Sequence, residues 1–99
     1  MTFDLRLFPE AEQDLLDAAT WYEGQRQGLG HEFLDEILSA FADIADTPLM
    51  YPEVHRDIRR ALLRRFPFGV FFRIESRSIT VLAVMHASRD PRRWKSRSG

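Results

Sequence analysis

Two strand-length runs late in the sequence, Pro67–Glu75 and Ser78–His86, are apolar on both faces and stand two residues apart. The first carries Phe68, Val70, Phe71, Phe72 and Ile74; the second carries Ile79, Val81, Leu82, Val84 and Met85. A link as short as Ser76-Arg77 predicts an antiparallel hairpin, even without the Asn-Gly or Asp-Gly of the strongest turn signals. A hairpin apolar on both sides must be covered on both sides. Helices can supply one cover. The other has to come from the C-terminal tail, another subunit or a partner peptide.

The helices precede the hairpin. Thr2 to Phe8 alternates Phe3, Leu5 and Leu7 with Asp4 and Arg6, the period of a half-buried strand. Pro9 ends it and suits a first helical turn, and Glu10, Glu12 and Asp14 favour the positive end of the helix dipole. Ala11, Leu15, Ala18 or Ala19, and Tyr22 then recur at helical spacing, predicting a helix from Pro9 to about Gln27. Trp21 lies just off that stripe, either packed at its margin or facing a partner. Gly28-Leu29-Gly30 breaks the helix, and a second runs from about Leu29 to Asp46 on Phe33, Ile37, Phe41 and Ile44. So short a connection makes the two helices an antiparallel pair. Thr47-Pro48 stops the second helix, Pro48 to Glu53 reads as a loop, and Ile58 to Arg65 begins three strand-like runs. After Ser88, Asp90-Pro91 starts a turn or short helix ending near Trp94. The expected fold is α+β, in the order β-α-α-β-β-β: an N-terminal strand and a helical hairpin packed on a small, mainly antiparallel sheet.

A chain of 99 residues with 44% hydrophobic content builds one domain, 1–99. It contains no Cys, so disulfides and thiolate metal sites are excluded. It also lacks a signal-peptide pattern and any membrane-length apolar run, which makes a cytoplasmic location the expectation. The net charge of −1 hides a partition. Residues 1–53 hold twelve acidic residues against two basic ones, Arg6 and Arg26, whereas residues 54–99 hold twelve basic residues against Asp57, Glu75 and Asp90. Either the basic part presents a surface to an anionic partner, or the two parts fold together and neutralise each other. Thirteen of the 14 basic residues are Arg, the side chain suited to bidentate phosphate or carboxylate binding.

Three groups could carry function. The arginines Arg56, Arg59, Arg60, Arg64 and Arg65 alternate between strand faces, with Arg60 and Arg64 on one and Arg59 and Arg65 on the other. They bind phosphate or blunt an edge strand. His86, followed by Arg89, Arg92, Arg93 and Lys95, is a candidate general acid or base with guanidiniums to stabilise charge on phosphorus. A lone His at a strand end is also a common structural hydrogen-bonder. Trp94 can dock over the open sheet face. His31, His55 and His86 come from different elements without ligand spacing, so no metal site is expected. No phosphate loop or nucleophile elbow points to a cofactor.

Together these residues resemble the RelE/ParE superfamily of small toxins from type II toxin–antitoxin modules. The resemblance lies in Pro9-Glu10-Ala11 with Asp14-Leu15, Trp21-Tyr22, Phe33-Leu34, the Pro48 to Pro52 loop and Ile58-Arg59. It continues through Arg65-Phe66-Pro67-Phe68 with Val70-Phe71-Phe72, then Val81-Leu82-Ala83-Val84 with His86, Arg89-Asp90-Pro91 and Trp94. It implies a cytoplasmic toxin neutralised by a cognate antitoxin whose disordered segment folds onto it. Two activities compete within the superfamily: ParE-like poisoning of DNA gyrase, and RelE-like cleavage of mRNA on the ribosome. The long helical hairpin and the His–Arg–Asp–Pro–Trp ending look more like the ParE or plasmid-stabilisation branch, which is not enzymatic. The RelE pattern's late Tyr and its first-strand lysines are absent here, and the one Lys, Lys95, lies in the tail. If the nuclease reading holds, the resemblance implies His86, Arg65, Arg73 and Arg89 as catalytic residues. Partner contacts are expected at Arg59, Arg60, Arg64, Arg92, Arg93, Trp94 and Trp21. A third alternative is a non-toxic remnant that only binds its antitoxin and regulates.

Overall fold

A computed structural model describes residues 2–88 and 91–98. Pro9 opens the first helix, α1 (Pro9–Gln25), immediately after strand β1 (Asp4–Leu7), and Glu10 and Glu12 occupy its first turn. The helix ends two residues before the expected Gln27, where Arg26 turns extended. Helix α2 (Leu29–Asp46) begins at once. Gly28 makes the junction possible with φ of +88°, a conformation that L side chains resist. Glu23 secures it, accepting the backbone N–H groups of Gly28 at 2.9 Å and Gly30 at 3.0 Å. Those donors belong to the start of α2, where no earlier turn can satisfy them.

After a 3₁₀ turn at Pro48–Met50 come four strands rather than three: β2 (Glu53–His55), β3 (Ile58–Leu62), β4 (Phe68–Glu75) and β5 (Ser78–His86). A short helix, α3 (Arg92–Lys95), and a 3₁₀ turn at Ser96–Ser98 follow. The extra strand, β2, is three residues long and pairs only with the start of β3. The sheet order is β1-β5-β4-β3-β2, with β1 parallel to β5 and every other pair antiparallel. The expected hairpin is present, with Glu75 opposite Ser78 and Ser76 at φ +56°, the positive first position of a type II′-like turn.

One irregularity shapes the sheet. Phe71 lies opposite Ala83 while Phe72 lies opposite Val81, so Leu82 is the extra residue of a β-bulge. The bulge turns two successive residues, Leu82 and Ala83, to the same face. Two cores result. On the helical side Phe33, Ile37, Ile44, Val70, Phe72, Ile79, Val81 and Val84 pack beneath α1 and α2. On the outer side Ile58, Phe71, Leu82, Ala83 and Met85 are closed over by Trp94, which is 5% exposed and stacks on Phe71 with ring centroids 4.6 Å apart. Among the covers expected for the second face, the C-terminal tail is the one observed.

Candidate functional site

A cleft of about 730 Å³ opens where α1, the end of β5 and the C-terminal tail meet. Helix α1 contributes Asp14, Asp17, Trp21 and Tyr22; Phe68, Val84, His86 and Ser88 line the strand end; Arg93 and Arg97 come from the tail. The cleft exists because β1 is short. Its last contact with β5 is the Phe8 N–H donated to the Val81 carbonyl at 2.9 Å, so the edge of β5 beyond Val81 has no strand beside it. Two side chains take the strand's place. The Asp14 carboxylate accepts the Val84 N–H at 3.0 Å, and Arg97 donates to the Leu82 carbonyl at 3.1 Å and to Asp14 at 2.6 Å. These contacts pay the hydrogen-bonding needs of an otherwise exposed edge.

His86 sits opposite Phe68 on the helical side, with ring centroids 5.6 Å apart. Its Nδ1 accepts the Ser88 N–H at 3.1 Å and lies 2.7 Å from the Ser88 hydroxyl oxygen. A ring nitrogen that accepts a backbone N–H carries no proton, which assigns the proton of the neutral ring to Nε2. The nitrogen turned away from Ser88 is therefore a hydrogen-bond donor. A base acting through it needs the other tautomer, in which Nδ1 carries the proton, gives up the Ser88 N–H and donates to the Ser88 hydroxyl oxygen. Trp21 stands at the same cleft, 60% exposed and edge-on to Tyr22, so it faces solvent rather than packing at the helix margin. Burial pushes the Tyr22 hydroxyl above its usual range.

The residues expected to act with His86 are dispersed. Arg65 is not on a strand: β3 stops at Leu62, and Glu36 accepts the backbone N–H groups of Arg64 at 2.5 Å and Arg65 at 3.2 Å, holding both in a loop. The Arg65 guanidinium pairs with Glu32 at 2.7 Å. Bonds from Arg65 and then Arg26 hold the Glu32 carboxyl below the usual glutamate range, and Glu32 raises Arg65 in turn. Arg73 lies opposite Thr80 on the outer face, five residues along β4 from the Phe68–His86 pair, about 16 Å at strand spacing. Arg89 lies outside the described residues.

Of the expected partner contacts, Arg59 is a structural clamp that donates to the Tyr51 carbonyl at 2.5 Å and to Glu53 at 3.3 Å. Arg60 points to the outer face, Arg64 is exposed in the loop, and Arg92 and Arg93 are exposed on α3. Trp94 is buried in the outer core. Asp14, Asp17, Ser88 and Arg97 line the cleft without having been singled out for function. Asp14 reads in sequence as an ordinary early-helix acid, and no motif spacing ties it to Arg97, 83 positions away. Among the described residues no cluster of three His, Cys, Asp or Glu could hold a metal, and no helix is long and apolar enough to cross a membrane.

The charge partition becomes a partition of faces, relieved at the edges. The helical layer carries Glu10, Glu12, Asp17, Glu23, Asp35, Asp43 and Asp46, all exposed. Two tail-half arginines cross to helical acids, Arg65 to Glu32 and Arg97 to Asp14. The outer face keeps Arg6, Arg60 and Arg73, with Lys95 on the tail above it.

Residues 5–91 match the family described as ParE toxin of type II toxin-antitoxin system, parDE. No curated protein matches the chain in sequence. Solved structures that share its fold include three chains of toxins or toxin–antitoxin complexes. A chain of the chromosomal ParDE toxin–antitoxin system from P. aeruginosa is 19% identical, with a TM-score of 0.71 over 86% of this chain and 96% of that one. A chain of the toxin–antitoxin complex RelBE2 from Mycobacterium tuberculosis is 18% identical, with a TM-score of 0.60 over 87% and 99%. A mutant of the E. coli toxin RelE in the free state is 11% identical, with a TM-score of 0.63 over 98% and 94%.

Proposed function

Because the chain belongs to the ParE toxin family of type II toxin–antitoxin systems, within the RelE/ParE superfamily, we propose that it arrests growth by poisoning DNA gyrase and that a cognate antitoxin neutralises it. The observation that carries the gyrase reading is the scatter of the nuclease candidates. Arg65 is engaged by Glu32, Arg73 lies at the far end of the hairpin on the other face, and the Nδ1 of His86 is held by Ser88. A phosphodiester-cleaving site needs its base and its cations converging on one phosphate. A gyrase poison needs only a surface. Exposed apolar side chains for antitoxin or target contact are at hand in Trp21, Leu38, Leu49, Met50 and Leu62.

The test is to incubate purified protein with gyrase, supercoiled DNA and ATP and to look for trapped cleavage complexes. Linear DNA after detergent and protease is the expected result, and unaltered supercoiling at high protein concentration overturns the reading. One observation favours the RelE-like alternative: the cleft gathers His86, Arg93 and Arg97 around one space. That reading requires codon-positioned cuts in translated mRNA that vanish in His86→Ala. Expression of the isolated chain without growth arrest leaves only the non-toxic, antitoxin-binding role.

A further inference from the structure

The outer face of the sheet combines three properties that together specify a partner. It is cationic at positions fixed by strand register. Leu5 and Leu7 pack toward the helices, so Arg6 points outward; Arg60 is opposite Phe71, and Arg73 is opposite Ile58, both outer-core residues. Lys95 adds its ammonium 5.8 Å from the Trp94 ring, and Arg92 is exposed on the same short helix. Among the described residues two acids share this face, Asp4 and Glu75, at the end where β1 begins and the β4–β5 hairpin turns, and there they pair with Arg6 and Arg73, each at 3.4 Å.

One of these cations, Arg60, is only partly exposed and has a buried donor atom without an acceptor. The stem of Arg60 lies across Gly69, where a Cβ would come within 3.3 Å of both Cγ and Cδ, and its buried Nε has no hydrogen-bond acceptor. A buried guanidinium N–H without an acceptor is costly, so a shift of the Arg60 side chain toward an arriving anion relieves that cost.

The aromatic rings of this face are unavailable for stacking. Phe71 is 3% and Trp94 5% exposed, each spent on the other. Proteins that grip single strands stack bases on exposed aromatics, whereas contacts to duplex DNA are dominated by cations on phosphate oxygens. A cationic face without a stacking platform fits the duplex backbone. We propose that the outer face, through Arg60, Arg92 and Lys95 with Arg6 and Arg73 beside them, binds the phosphate backbone of double-stranded DNA independently of sequence. The acidic helical layer faces away, which is how a chain of net charge −1 can do so. This goes beyond the gyrase reading and does not depend on it.

The experiment is fluorescence anisotropy of a labelled random-sequence duplex of about 20 base pairs, titrated with the full chain between about 50 and 200 mM salt. Binding is expected to weaken steeply with salt, and Arg60→Gln is expected to lower the log–log salt slope by about one. Arg92→Gln with Lys95→Gln lowers it by about two, and this exposed pair carries the test if the Arg60 variant does not fold. Arg26→Gln, in the helical layer, changes neither affinity nor slope. Absence of binding at the lowest salt overturns the proposal. So does equal loss in the Arg26 variant, or tighter binding of a single-stranded RNA of the same length. Gyrase is absent from this measurement, so its failure and failure of the poisoning assay are told apart.

Discussion

Asp14 and Arg97, 83 residues apart, form a pair at 2.6 Å that stands where the sheet lacks a strand. Asp14 holds the Val84 N–H and Arg97 the Leu82 carbonyl, on the edge of β5 that β1 does not reach. Both side chains are about four-fifths buried, at 17% and 20% exposed. The pair therefore does two jobs with one ion contact: it satisfies the bulged edge of β5 and ties the tail down against α1.

Asp14→Ala leaves the part-buried Val84 N–H without an acceptor and the Arg97 guanidinium with only the Leu82 carbonyl, and should cost about 1–3 kcal/mol, more than an exposed ion pair contributes. Arg97→Ala should cost less, because Asp14 keeps its bond to Val84. A double-mutant cycle in urea measures their coupling, expected at about 1 kcal/mol. Hydrogen exchange at Val84 should accelerate in the Asp14 variant. Unchanged exchange there would mean that the carboxylate does not protect this edge.

Two glycines in the helical pair should respond in opposite directions. A Cβ at Gly30 would come within 2.5 Å of the Ala19 carbonyl oxygen, on rigid backbone, so Gly30→Ala must push α1 and α2 apart. The expected loss is about 1–3 kcal/mol. Gly24 has nothing within 4 Å of its Cβ position and lies inside α1, so Gly24→Ala should gain up to about 1 kcal/mol. Thermal melts of the two variants distinguish close packing from a general intolerance of side chains.

What could be read from sequence depended on how local its cause was. Leu29 to Asp46 and Ser78 to His86 are long and strongly patterned, and both elements have the expected bounds. Strand β2 was hidden because three residues after Pro52 carry no period; its pairing with β3 defines it. Arg64 and Arg65 continue the β3 pattern in sequence, yet Glu36 on α2 captures their N–H groups and ends the strand, a tertiary contact no local rule contains. The need for a second cover over the hairpin was visible in its composition, and Trp94 was a candidate for it. The cleft was visible only in part. His86 stood out by residue type, but Asp14 and Arg97 acquire their roles from the bulge at Leu82 and the shortness of β1.

Acid should uncouple α2 from the β3–β4 loop. The Glu32 carboxyl is held below its usual range by Arg65 first and Arg26 second. Its contribution is therefore full above the unfolded glutamate range, near pH 4.3, and is lost as the pH falls through the lowered folded value. Glu32→Gln removes the contribution at every pH. The stability difference between the two proteins should be present at neutral pH, constant upward from there, and vanish in acid. A difference that instead grows in acid would show that Glu32 is not stabilised as the anion.

Trp94 separates a docked tail from a frayed one. Its ring closes the outer core against Phe71, so Trp94→Ala should cost about 3 kcal/mol if the tail is part of the folded unit. A loss below about 1 kcal/mol would mean that the tail contributes little beyond local contacts. Fluorescence gives an independent reading, because the other tryptophan, Trp21, is 60% exposed while Trp94 is 5% exposed. In Trp21→Phe the remaining emission should be blue-shifted and poorly quenched by acrylamide; in Trp94→Phe it should be red-shifted and readily quenched. If adding Arg97→Gln to the Trp21→Phe protein makes the Trp94 signal quenchable, the Asp14–Arg97 pair is the fastener of the ring. If it stays protected, stacking on Phe71 alone holds the tail, and the ion pair serves only the edge of β5.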